Sequence, residues 1–314
     1  MHIVLLDAKT LGSDLDISIF EHFGVLTVYD TTAPEETLER IQIADIVITN
    51  KVVITANMME ECPRLKLICI AATGMNNVNL DAAKYKGIEV KNVAGYSTKS
   101  VAQHTFAMTL YLLEKMAYYD DVVKSHTWSS SGLFTDVSQP FHEISGKKWG
   151  IIGLGAIGQE VAKIATAFGA EISYYSTSGK NFHLAYPHQS LEFLLKDCDI
   201  ISIHAALNDD TFDLINELNL PYLKEKSILL NLGRGGIINE TDLAFELDRR
   251  EIYAGLDVLE YEPIKMENRL NEVQHKERLL ITPHIAWTSL EARKKLLDGI
   301  VQNIKDFLQK QTKD

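Results

Sequence analysis

An α/β protein of two doubly wound parallel-sheet domains is what the amino-acid sequence predicts, and three observations predict it. Short β-branched runs alternate with amphipathic stretches along the 314-residue chain. The alternation stops at a long helical segment and a polar stretch, then starts again. The restart opens on a glycine-rich turn set between an apolar run and a helix-like one. Alternation of this kind places helices on both faces of a parallel sheet. A chain of 314 residues suits two domains of ordinary size, each able to bury its own core.

Taken in order, HIVLLD, GVLTVYD, DIVITN, LKLICIAA and IEVKNV read as strands, with APEETLERIQ, ANMMEECP and NLDAAKYKG as the helical stretches among them. Residues 97–124 read as one long helix with Ala102, Phe106, Leu110 and Leu113 on a single stripe, long enough to connect two domains. A polar, serine-rich loop is expected over 128–138. WGIIGLG, EISYYS, DIISIHA, SILLNLG, YAGLDVL and LLITPHIA then read as a second set of strands. From Ser289 to Gln311 a terminal helix carries Leu296, Ile300, Ile304 and Leu308 at helical spacing, with Ser289 and Glu291 at its start. Too short to be a domain, it is expected to pack back on the N-terminal unit. The expected domains are therefore 1–98 with 287–314, and 99–286.

Composition limits the partners. Lys+Arg 31 against Asp+Glu 43 gives a formal net charge of −12, the wrong sign for nucleic acid or anionic lipid. Cys62, Cys69 and Cys198 have neither paired nor metal-ligand spacing, so no disulfide framework and no metal site is expected. The start of the chain reads as neither a secretion signal nor a membrane span, and a cytoplasmic location is expected.

The sharpest local signal is Gly153-Leu154-Gly155-Ala156-Ile157-Gly158, directly after the strand at 149–152 and directly before AIGQEVAKIATAFG. In that context Gly153 allows a tight turn, Gly155 lets backbone N–H groups reach a pyrophosphate, and Gly158 lets the helix lie close to the sheet. A Rossmann dinucleotide-binding domain follows. An acid that binds the adenosine ribose normally ends the second strand of such a unit. Here the chain reads Tyr175-Ser176-Thr177-Ser178-Gly179-Lys180, with hydroxyls and an amine in its place. NAD and NADP both remain open, the second because nothing there repels a 2′-phosphate.

Three polar residues follow later strands: Arg234 after SILLNLG, Glu262 after YAGLDVL, and His284 in Thr282-Pro283-His284-Ile285-Ala286-Trp287. Ligands of parallel α/β sheets bind outside the carboxyl ends of strands. A guanidinium there can clamp a carboxylate. An imidazole beside a carboxylate can give and take a proton, because the carboxylate favours the charged ring. Carbonyl reduction needs such a set. No GxSxG or Cys/His arrangement argues for nucleophilic catalysis.

At these residues the chain resembles the D-isomer-specific 2-hydroxyacid dehydrogenases. The likeness is carried by AATGMNNVNLDAA, STKSVAQHTFAMTLYLL, GKKWGIIGLGAIGQEVAKIA, NLGRGGIINETDL, GLDVLEYEP and TPHIAW. HIAW and SVAQHTFA point to the glycerate dehydrogenase (hydroxypyruvate reductase) branch. The resemblance implies a flavodoxin-like substrate domain beside the dinucleotide-binding one. It implies Arg234 as substrate clamp, His284 as acid/base and Glu262 as the histidine's partner. Amides at Thr73, Gly74, Met75 and Asn76 would help hold the substrate carboxylate. Asp257 would bind the nicotinamide carboxamide, with Thr211, Leu232 and Trp287 also against the cofactor. The activity implied is interconversion of a small 2-keto acid and its D-2-hydroxy acid, hydroxypyruvate or glyoxylate first, by a homodimer whose subunits meet through residues 97–145. A D-lactate or broad-range 2-keto acid reductase and a dinucleotide-sensing binding protein stay open as alternatives. Of the other histidines, His104 reads as a packing or interface residue, while His204 fits a core or a cofactor-crevice position equally well.

Overall fold

The structure, a computed structural model, describes residues 1–180 and 185–311. The ends of the expected ranges at 312–314, and 181–184 within the second range, lie outside the described residues. The chain divides into two compact units, Met1–Ser97 with the segment from Thr288 onward, and Thr98–Trp287. Thr98 and Trp287 fall one position away from the expected boundaries. Among the described residues no helix is long and apolar enough to cross a membrane.

In the first unit the strands are β1 (His2–Leu5), β2 (Val25–Val28), β3 (Ile46–Thr49), β4 (Leu67–Ile70) and β5 (Glu89–Lys91). They form a parallel sheet in the order β2-β1-β3-β4-β5, the flavodoxin-like order. β3 and β4 are buried along their whole length, which is why IVIT and LICI show no alternation of apolar and exposed polar residues. Helices α1 (Thr37–Ile41), α2 (Ala56–Glu60) and α3 (Leu80–Lys86) are short. Local chemistry bounds the last two: the Thr55 hydroxyl accepts from Met58 N, Asn79 Oδ1 accepts from Ala82 N, and α3 stops at Gly87 in left-handed backbone (φ 70°). The C-terminal helix, Leu290–Gln311, belongs to this unit and buries Leu296, Ile300, Ile304 and Phe307. Phe307 rather than the expected Leu308 completes its apolar face. Each such side chain contributes roughly 1.5–3 kcal/mol when fully buried. Arg293 pairs with Asp14, and Asn303 Nδ2 donates to Asn92 O at 2.9 Å, so polar contacts fix the register of this face.

The second unit opens on α4 (Thr98–Leu113), α5 (Met116–Lys124) and α6 (Thr127–Ser131). The expected single helix over 97–124 is therefore two. The chain breaks at Lys115, whose backbone is left-handed (φ 55°) and whose ammonium lies 3.3 Å above the Tyr253 ring. Nor does α4 run out as a connector: it buries Val101, Ala102, Phe106, Met108 and Leu112 in its own unit, with Phe106 against Trp149. The expected loop at 128–138 begins inside α6. Strands β6 (Lys148–Ile152), β7 (Glu171–Tyr175), β8 (Ile200–Ile203), β9 (Ile228–Asn231), β10 (Tyr253–Leu256) and β11 (Leu279–Ile281) form a parallel sheet in the order β11-β10-β9-β8-β6-β7. α7 (Ala156–Ala167), α8 (Leu191–Asp197) and α9 (Glu240–Arg249) flank it. The strand order reverses between β6 and β8, and a crevice opens at such a switch point.

Candidate active site

The glycine-rich turn leaves β6 at that switch point. Gly153 has φ 89°, and a Cβ there would lie 2.9 Å from the Ala205 backbone, so only glycine fits. Gly155 precedes α7 without any side-chain cap, and a Cβ on it would meet nothing within 4 Å. A helix N-terminus left uncapped behind open space attracts anions, because its first amides, here those of Ala156 and Ile157, have no intrahelical acceptor. A Cβ at Gly158 would lie 2.4 Å from Gly153 O, so α7 is seated directly on the turn. These residues fit the pyrophosphate of a dinucleotide. Where β7 ends, Ser176 is buried, Gly179 N donates to Ser176 O at 3.3 Å, and Lys180 N donates to Ser178 Oγ at 3.3 Å. A tight hydroxyl-lined turn thus stands where an acid would.

Arg234, Glu262 and His284 follow β9, β10 and β11, three adjacent strands. Asn231 shapes the first turn: its Nδ2 donates to Arg234 O at 2.8 Å and its Oδ1 accepts from Gly233 N at 3.1 Å. The Arg234 guanidinium donates to Gly233 O at 2.8 Å and forms no ion pair among the described residues. A Cβ at Gly235 would fall 1.9 Å from Leu259 O, so glycine is what lets the Arg234 turn press against the turn after β10. That second turn holds Glu262, whose Oε1 accepts from Leu259 N at 3.1 Å. Its Oε2 lies 2.7 Å from His284 Nδ1. An ionised carboxylate only accepts, so Nδ1 carries the hydrogen and Nε2 is left as the proton-transfer atom.

His284 has left-handed backbone, φ 55°. In a residue with a Cβ this costs about 1–3 kcal/mol and persists only where the surroundings impose it. Asp257 holds the loop in which it lies. Buried at the end of β10, its Oδ1 accepts from Ile285 N at 2.8 Å and from the Thr282 hydroxyl at 2.6 Å, and its Oδ2 accepts from Ala286 N at 2.9 Å. The Asp257 carboxylate is thus engaged with the loop that carries His284. Sequence reasoning had no signal for this, since the loop lies 28 and 29 positions away.

The remaining expected residues are placed as follows. Thr211 is fully buried in the loop after β8, its hydroxyl donating to Ala206 O at 2.7 Å and accepting from Asn208 N at 2.8 Å. Leu232 is buried after β9 and Trp287 packs partly buried on the core of the same unit. In the first unit, Thr73, Gly74, Met75 and Asn76 form the turn beyond β4, with Thr73 Oγ1 donating to Val93 O at 3.3 Å and Asn92 Nδ2 to Thr73 O at 2.6 Å. His204 keeps Nδ1 enclosed without a partner among the described residues, and Nε2 lies 3.0 Å from Ser202 Oγ, which takes the Trp149 indole hydrogen at 3.0 Å. Burial pushes this imidazole down to about 3, so it is neutral in the folded chain.

A profile of the family described as "D-isomer specific 2-hydroxyacid dehydrogenase, NAD binding domain" matches residues 106–286. The chain is 38% identical to a hydroxypyruvate reductase of Blautia hydrogenotrophica, over 98% of this chain and 97% of that protein. It is 34% identical to a glycerate dehydrogenase of Methylorubrum extorquens, over 98% of this chain and 96% of that protein. Among solved structures it is similar to an acyclic imino acid reductase in complex with NADPH and D-Arg, with a TM-score of 0.86, 30% identity and coverage of 99% and 98% of the two chains.

Proposed function

Since the chain belongs to the D-isomer-specific 2-hydroxyacid dehydrogenase family and is thereby an NAD(P)-dependent oxidoreductase, we propose that it interconverts a small 2-keto acid, hydroxypyruvate or glyoxylate, with its D-2-hydroxy acid. The observation that carries this reading is the Glu262–His284 pair, held at 2.7 Å beyond β10 and β11, next to β9, whose end carries an Arg234 guanidinium with no ion-pair partner among the described residues. The names of the two relatives favour hydroxypyruvate.

The nicotinamide cofactor, when bound, supplies the hydride that reaches the carbonyl carbon; the protein handles charge and protons. The Arg234 fork takes the substrate carboxylate, and its fixed charge offsets the negative charge that grows on the carbonyl oxygen. The amides of Thr73, Gly74, Met75 and Asn76 are assigned to the same carboxylate on the family likeness. His284 delivers its proton from Nε2 while Glu262 holds Nδ1. In the oxidative direction the neutral ring takes the proton back.

On cofactor choice, the reading is that NADPH is accepted beside NADH, supported by the absence of a carboxylate at Ser176, Thr177 and Lys180. The protein is further read as a cytoplasmic homodimer. Support for the dimer comes from the exposed side chains of Leu133, Phe134 and Val137 in the segment after α6. A spectrophotometric screen of hydroxypyruvate, glyoxylate, pyruvate and longer 2-keto acids, each with NADH and NADPH, tests substrate and cofactor together. Highest kcat/KM on hydroxypyruvate or glyoxylate is expected. No turnover with any 2-keto acid would sink the enzymatic reading, and an NADPH KM hundreds of times that for NADH would remove the NADP one.

A further inference from the structure

Two side chains one turn apart on α4 reach the loop that carries His284. Ser100 Oγ donates to Ala286 O at 2.6 Å, and His104 Nε2 lies 3.1 Å from Thr282 Oγ1. The direction of the hydrogens follows from the donor inventory. The Thr282 hydroxyl has one proton, and the Asp257 carboxylate 2.6 Å away can only accept it. The hydroxyl oxygen is then the acceptor for His104, whose Nε2 carries hydrogen and stands 3.6 Å from Asp257 Oδ1 as well. The loop is therefore gripped from two sides. Asp257 takes its Ile285 and Ala286 amides, and α4 takes the Ala286 carbonyl and, through Thr282, the carboxylate itself. Between the two grips lies His284, in left-handed backbone and bonded through Nδ1 to Glu262.

We propose that His104 is a positioning residue for the acid/base histidine: by donating to Thr282 it orients the Asp257 carboxylate, which fixes the backbone from which His284 projects, while Ser100 holds the far end of the same loop. This rests on His284 being the proton donor proposed above. The chemistry favours a positioning role over packing. A residue that merely filled space between α4 and the loop needs no nitrogen aimed at a hydroxyl already bonded to a buried carboxylate. Removing the donor leaves Thr282 Oγ1 with an unused acceptor and loosens a side chain that takes both loop amides.

The test is a double-mutant cycle. His104→Leu removes the donor, His104→Gln keeps an N–H on a flexible chain, and Ser100→Ala is the milder cut should His104→Leu fold poorly. Against wild type, His104→Leu is expected to lower kcat about 10- to 100-fold, since small displacements of a reacting group cost that much. KM for the keto acid and Kd for NADH should stay within about threefold, with His104→Gln recovering part of the rate and Ser100→Ala losing severalfold. In a His284→Gln background, His104→Leu should cost nothing further, because there is no acid left to position. If the two losses multiply, or if His104→Leu raises KM and leaves kcat unchanged, the proposal is overturned. Amide exchange at Ile285 and Ala286 separates this failure from failure of the functional reading. Were His284→Gln fully active, the acid/base assignment would fall, while unchanged exchange in His104→Leu would independently overturn the grip on the loop.

Discussion

In the proposed reaction a carboxylate that only accepts, an imidazole with two unlike nitrogens and a guanidinium with no ion-pair partner among the described residues divide the work. His284→Gln should lower kcat by a factor on the order of 10²–10⁴, the usual contribution of a positioned general acid, in steady-state reduction of the best keto acid. Arg234→Lys should raise KM and lower kcat together, since an ammonium cannot make the paired bonds of the guanidinium fork to a carboxylate. His204 sets a different expectation. Burial holds its imidazole neutral down to about 3, whereas the unfolded chain takes up a proton below about 6.5. The unfolded state therefore binds more protons in that window, and stability falls as pH drops from about 6.5 towards 3, by at most about 1.4 kcal/mol per pH unit. Denaturant titrations of His204→Gln should show a flatter acid limb than wild type. The placement of Arg234, Glu262 and His284 beyond strand ends was legible in the sequence because each sits just past an apolar run that ends in a recognisable turn. The role of Asp257 in holding the His284 loop was not, because nothing in GLDVL says which backbone amides its carboxylate will meet.

At the scale of elements, the turns after β9 and β10 work as one piece because Gly235 has no Cβ. Gly235→Ala would drive a methyl group into Leu259 O and displace the turn whose Leu259 amide orients Glu262. The expected result is a loss of about 1–3 kcal/mol in stability by denaturant melts, with a fall in kcat. Strands and the dinucleotide turn were readable from local pattern, as apolar runs, glycine spacing and helix caps act over a few residues. The break at Lys115 was not. There the backbone of Lys115 turns left-handed and its ammonium sits over the ring of Tyr253, far along the chain, a contact that no local pattern announces. Likewise the Ser-rich stretch after α5 read as a loop, yet Thr127–Ser131 forms a helical turn.

On the scale of the whole molecule, the C-terminal helix fastens to residues near the start of the chain through Arg293 and Asp14. The Arg293 guanidinium holds the Asp14 carboxyl down at about 2. A depressed carboxyl stabilises the fold above its ordinary value of 3.8, and that contribution fades as pH falls towards about 2. The Tm difference between wild type and Asp14→Asn should therefore be present at neutral pH and shrink below about pH 4. The pair is exposed, so the difference itself is small. Cofactor gives a larger effect: at a hundred times its Kd it should add about 2.7 kcal/mol to the unfolding free energy, with new amide protection at Ala156 and Ile157.

The amino-acid sequence determined by itself the two parallel α/β sheets, the dinucleotide turn and the residue types at the ends of β9, β10 and β11. Strand period, glycine spacing and caps are short-range properties that a chain carries wherever it folds. Only the tertiary structure decided how His284 is held. Its left-handed backbone lies in a loop held by Asp257 and bonded to Ser100 and His104, which lie 186 and 178 positions from their partners. Hydrogen-bond direction and backbone strain come from which groups meet across such distances, and no periodicity in the chain encodes that meeting.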